Sequence, residues 1–173
     1  MGFQGIAVYT LRAAAFAAAV TLVYALILRA RGKPLTAGRL RSVFYVAALI
    51  EITVLRGGVD WGAIGCVDCR PPRLTPFRTT IEELRRGAWP FLYHVVGNLA
   101  WFVPVGLILR RRPVWMAFLG GLMLSVLIEG FQWVLRTGMT DVDDLIFNSC
   151  GALVGWLIAR AIPAVGAGRS ENG

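Results

Sequence analysis

The sequence is poor in the residues on which soluble catalytic and redox domains depend. Its 173 residues contain one histidine, His94, one lysine, Lys33, and three cysteines. No HExxH, GxSxG or phosphate-cradling Gly-rich loop is present, so the best-marked hydrolase, metalloprotease and nucleotide-binding signatures are excluded. A structural zinc site takes four ligands, and Cys66-Val67-Asp68-Cys69 has no second Cys pair to complete one. Charged residues are only 16% of the chain, with 10 Asp and Glu in all. No internal repeat is visible, and no apolar span contains a sustained heptad.

What remains is strongly apolar. Hydrophobic residues make up 57%, and the mean hydropathy is +0.63. In water such a chain would expose an apolar surface too large for a monomer; lipid is the simpler solvent. The net charge of +8 sits in short runs between apolar segments rather than on one face. That is the pattern of membrane loops, not of a nucleic-acid groove, and no nucleic-acid partner is expected.

Stretches of about 20 apolar residues cross a bilayer, and the chain reads as an all-α polytopic bundle of about five spans in one domain, 1–165. These are Ile6–Leu28, Ser42–Leu55, Phe91–Leu109, Val114–Leu135 and Leu145–Ile162, with a long connection over Gly57–Pro90 and a polar tail over 166–173. The first span lacks a basic leader and is too long for a signal h-region, so it reads as a retained helix. Thr79–Arg86 suits a short helix at the interface. Short loops set orientation through their Lys and Arg. Placing the 30s loop, Arg110–Arg112 and the C-terminus in the cytoplasm puts ten basic residues there against seven opposite. The expected orientation is therefore N-terminus outside and C-terminus cytoplasmic, in the bacterial inner membrane.

With a rise of about 1.5 Å per residue, this topology brings polar residues of several helices to one depth near the outer end. Glu51 comes from the second span, His94 and Asn98 from the third, Glu129, Gln132 and Arg136 from the fourth, and Asp144 and Asn148 from the fifth. Arg12 on the first span can join them. Within each helix the spacing is three, four or seven, so each set shares a face. A bare carboxylate in lipid costs at least about 2.5 kcal/mol, so these groups should face the bundle interior. Two readings stay open. One is structural, with Glu129 paired to Arg136 and Asp144 capping the fifth span. The other is an outward-facing polar pocket with Asn98, Glu129, Gln132, Arg136, Asp141, Asp144, Asn148 and Glu51 as ligand-binding candidates.

Other features carry alternatives. His94 is either a proton shuttle or a helix-end hydrogen-bonding group. Asp141, Asp143 and Asp144 offer oxygens to a divalent cation such as Ca²⁺ or Mg²⁺, yet they lack an EF-hand pattern, and capping is the alternative. Cys66 and Cys69 suit a disulfide, a redox-active thiol pair or part of a metal site. Pro104 kinks its helix or frees a carbonyl. Gly151 and Gly155 form a small-xxx-small stripe for close packing inside the chain or in a homodimer.

Around these residues the chain resembles the VanZ-like family of bacterial membrane proteins. The resemblance runs from Leu74-Thr75-Pro76-Phe77 through Gly97–Gly106 and Ser125–Gln132 to Arg136 and Asp141–Gly151. Before the Pro-Phe motif, where the family usually carries Asn, this chain has Arg73. The resemblance implies a bacterial cell-envelope protein; the founding member is associated with resistance to the glycopeptide antibiotic teicoplanin. Two functions follow as expectations. One is a pocket that binds or shields a lipid-linked cell-wall precursor or a lipophilic glycopeptide antibiotic. Its arginines Arg73, Arg78, Arg85 and Arg86 suit phosphate or carboxylate groups. The other is an intramembrane enzyme acting on a lipid-linked phosphate or glycolipid, with Glu129, His94 and Asp144 as catalytic candidates.

Overall fold

The computed structural model describes residues 3–55, 62 and 71–162. Cys66, Cys69 and the tail over 166–173 lie outside the described residues. The described chain is all-helical, without a strand: α1 Phe3–Ala30, α2 Ala37–Ile50, α3 Arg78–Arg86, α4 Ala88–Ile108, α5 Val114–Leu135 and α6 Val142–Ala161. A π-helical turn, Glu51–Leu55, continues α2. Four helical segments are long and apolar enough to cross a membrane: Thr10–Ala30, Ala88–Ile108, Val114–Leu135 and Val142–Ala161. The protein is a multi-pass membrane protein.

The helix starts differ from the sequence expectations for identifiable reasons. Arg39 and Arg41 read as loop because they are charged, but Thr36 caps α2 by accepting the Arg39 N–H, and both arginines lie in its first turns. Pro90 reads as the end of a loop, yet it falls in the first turn of α4, where a missing N–H breaks no helical bond. Asp141, not Asp144, is the N-cap of α6: its carboxylate accepts the Asp143 N–H at 2.9 Å, so the helix begins at Val142.

The chain divides into two compact units, Met1–Arg73 with Ile128–Thr140, and Leu74–Leu127 with Asp141–Gly173. In the first unit α1 and α2 form a hairpin. The Gly32 N–H reaches the Arg29 carbonyl at 3.1 Å and the Lys33 N–H the Leu28 carbonyl at 2.9 Å. With Gly32 at φ +62°, this is a Schellman closure, which needs the left-handed residue glycine supplies without strain. Arg29 sits in the last turn of α1, where a cation favours the helix dipole.

In the second unit α4 and α6 touch backbone to backbone. A methyl group on Gly106 would land on the Ala152 carbonyl and the Trp156 N–H; one on Gly151 or Gly155 would land on the Leu99 or Val103 carbonyl. The small-xxx-small stripe of α6 is thus used inside the chain. With no hydrophobic drive between helices in lipid, such close van der Waals contact is a main source of association. At the other end of the unit the Trp156 indole donates to the Arg112 carbonyl at 2.9 Å, and the Arg160 guanidinium lies 4.8 Å over the Trp156 ring. Arg112 and Arg160 are thereby at one end.

Candidate functional site

The polar residues singled out in the sequence gather in two groups, one in each unit. In the first unit, the Arg12 guanidinium pairs with the Glu51 carboxylate at 2.6 Å and also donates to the Leu55 carbonyl at 3.4 Å. Glu51 is buried and opens the π-helical turn. The last carbonyls of a helix have no partner within it; Gln132 supplies one by donating Nε2 to the Thr53 carbonyl at 2.8 Å. Glu129, Gln132, Arg136 and Thr137 are all buried, and Thr140 donates its hydroxyl to the Glu129 carbonyl at 3.4 Å. Arg73 donates its N–H to the Thr140 carbonyl at 2.8 Å.

Arg136 does not continue the helical face of Glu129 and Gln132, as its spacing predicts. α5 ends at Leu135, and Arg136 takes φ +55°. The Thr137 N–H closes back onto the Gln132 carbonyl at 3.2 Å. This is again a Schellman closure, here with arginine at the position glycine normally fills. The left-handed conformation costs a non-glycine residue about 1–2 kcal/mol. Its guanidinium lies 5.2 Å from the centroid of the Trp133 ring, so the side chain, not the backbone, is the reason for arginine there.

In the second unit the acidic run at the start of α6 does two separate jobs. Asp143 is fully buried and caps a different helix. Its Oδ1 accepts the Phe77 N–H, and its Oδ2 accepts the Thr80 N–H at 2.9 Å and the Thr80 hydroxyl at 2.8 Å. The N-cap position of α3 is Phe77, which has no capping side chain. Asp143 replaces it from 66 residues away, bringing negative charge to the helix N-terminus. Asp141 adds an acceptor for the Thr79 hydroxyl. Phe77 itself has φ +60° and follows Pro76, while the Arg78 N–H bonds the Thr75 carbonyl at 3.3 Å. That is the pattern of a type II turn with phenylalanine where glycine is usual. The Thr75-Pro76-Phe77 and Asp141-Val142-Asp143 motifs are therefore two halves of one structure.

Asp144 turns elsewhere. Its Oδ1 accepts Nδ2 of Asn98 at 2.5 Å and lies 3.8 Å from Nδ1 of His94. The latter is an electrostatic contact rather than a hydrogen bond. The His94 ring packs edge-on to Phe147, with centroids 5.7 Å apart. One turn further along α6, Asn148 is buried and donates Nδ2 to the Ser125 hydroxyl of α5 at 2.8 Å. Two polar atoms here, Nε2 of His94 and Oδ1 of Asn148, are buried with no hydrogen-bond partner. An unmet buried polar atom costs about 1–3 kcal/mol. In the tautomer that carries its proton on Nδ1, Nε2 is an acceptor, like Oδ1 of Asn148. Both atoms suit a ligand that presents hydroxyl, amide or ammonium hydrogens.

Among the described residues no group of three or more His, Cys, Asp or Glu is placed to hold a metal ion. The oxygens of Asp141 and Asp143 are instead the caps of α6 and α3. Thr53, Thr79, Thr80 and Ser125 are not among the site candidates that the sequence offers. A Thr-Thr pair just after a Pro-Phe turn is the one local signal that points to a helix start.

A family model described as VanZ/LLP1 matches residues 42–163, more than half of the chain. No curated protein matches the chain, and no solved structure does.

Proposed function

The chain belongs to the VanZ/LLP1 family, and from that premise we propose that it binds the polar head of a lipid-borne molecule inside its helix bundle. The chain has five spans in this reading, α2 with its π-helical turn being the short one, and its N-terminus is outside the inner membrane. The ligand is a lipid-linked envelope component or a lipophilic glycopeptide. The pocket faces outward, and its donors and acceptors are His94, Asn98, Asp144 and Asn148. In the other unit Glu51, Glu129, Gln132 and Arg136 form a second buried polar set of the same kind.

One observation carries the reading. Nε2 of His94 and Oδ1 of Asn148 are buried without partners on helices apolar enough to span a bilayer. Intramembrane polar groups are costly and are kept where they bind something. Binding is tested by titrating the detergent-solubilised protein with a lipid-linked cell-wall precursor and, separately, with a lipoglycopeptide. Asp144→Asn and Asn148→Leu should weaken binding of one of them by about tenfold or more, the worth of one lost charge-assisted hydrogen bond. Affinity unchanged in both variants would end this reading.

A second reading has its own support. Asp144 lies beside Nδ1 of His94, the arrangement in which a carboxylate orients an imidazole so that Nε2 can accept a proton. An intramembrane enzyme using His94 and Asp144 on a lipid phosphate or glycolipid would lose turnover in Asp144→Asn while keeping ligand affinity. Graded loss of affinity without any product from the wild type favours the binding protein.

A further inference from the structure

α3 is amphipathic the wrong way round for a helix packed on a protein. At 100° per residue its apolar side chains, Phe77, Ile81 and Leu84, fall in one row. In the folded chain that row points away from the rest of its unit: Phe77 is 48% exposed, Ile81 47% and Leu84 54%, with Leu74 before them at 71%. No residue of α3 is buried. The side turned inward is the polar one. Thr79 and Thr80 donate their hydroxyls to Asp141 and Asp143, and Asp143 is fully buried. A helix held to its own protein by threonines and carboxylates, with its leucine and isoleucine outward, needs an apolar medium on that outer side.

We propose that this medium is the bilayer itself: α3 lies in the headgroup–acyl boundary at the N-terminal end of α4 and binds anionic phospholipid through Arg85. Three observations favour lipid over a protein partner. Only Gly87, at φ +135°, separates α3 from α4, and α4 is one of the membrane-crossing segments. The helix is thus tethered where a span leaves the membrane. Arg78 and Arg85 border the apolar row on one side, so a headgroup phosphate lies within reach of their guanidinium groups while the row sits in acyl chains, the arrangement of interfacial helices. Arg78 and Arg86 are already matched by Glu82 at 3.1 Å and Glu83 at 2.6 Å; Arg85 has no ion pair among the described residues. This inference does not depend on the ligand proposed above.

The test uses the full chain in nanodiscs of phosphatidylcholine containing phosphatidylglycerol. A photoreactive p-benzoylphenylalanine replaces Ile81 or Leu84, with Glu82 as the polar-side control and Val126, exposed on α5, as the control for direct lipid contact. After irradiation the intact mass is read. Positions 81 and 84 should gain one phospholipid as Val126 does, and position 82 should not. Adding Arg85→Gln should cut the phosphatidylglycerol share of the adduct by roughly fivefold. Crosslinks to a second copy of the chain, or no lipid adduct at 81 and 84 while position 126 gives one, would overturn the proposal. An unchanged phosphatidylglycerol share in Arg85→Gln would overturn its headgroup part.

Discussion

At the residue scale, Arg136 and Asp143 hold positions that their own stretch of sequence does not explain. Arg136 occupies a left-handed position that glycine would fill at no cost, yet it is an arginine and buried. Replacing it should separate the two demands. Arg136→Gly relieves about 1–2 kcal/mol of backbone strain but removes a buried guanidinium with its contacts, the Trp133 ring among them. Its Tm should therefore fall less than that of Arg136→Ala, which loses the same side chain and keeps the strain; equal Tm values in the two variants would contradict the left-handed geometry. Asp143 gives a second expectation. Asp143→Ala removes the cap of α3 and should destabilise by about 1–3 kcal/mol. Amide hydrogen exchange should rise over residues 77–86 and stay slow in the middle of α4. Neither role is legible in the sequence. The Asp141–Asp144 run reads as a cation site or a single cap, because nothing local says that Asp143 serves a helix 66 positions earlier.

Among the elements, the long apolar helices were legible because a bilayer sets their length, and α1, α4, α5 and α6 all satisfy it. The π-helical turn at Glu51–Leu55 was not, since an extra residue in a helical turn has no composition of its own. Its neighbours matter more than its residues: Arg12 and Gln132 donate to the carbonyls of Leu55 and Thr53. The Gly151–Gly155 stripe was legible as a packing surface, but not its partner, Leu99 and Val103 of α4. That contact yields a sharp comparison. Gly155→Ala drives a methyl into the Val103 carbonyl and should cost about 1–3 kcal/mol or more. Gly97→Ala on α4 meets nothing within 4 Å and should be neutral or gain about 0.5–1 kcal/mol of helix propensity. Chemical unfolding in mild detergent checks the pair; equal effects would contradict the close α4–α6 contact.

For the whole molecule, family membership and four membrane-crossing segments place the protein in a bilayer, and the sequence alone was enough to expect both. The polar residues needed the structure, because their partners lie tens of positions away and only packing pairs Asn98 with Asp144 or Asn148 with Ser125. The proposed orientation rests on the arginines at the α4–α5 turn and the end of α6. A reporter active only outside the cytoplasm, fused at the C-terminus, should be silent, and one inserted after Gly62 should be active; the reverse pattern would invert the proposed pocket. The most direct test of the account is native mass spectrometry of the gently extracted protein. The wild type should carry a lipid-borne adduct, and Asp144→Ala, folded to the same melting temperature, should carry far less of it. An adduct held equally by both proteins, or a wild type that flies bare, would contradict it.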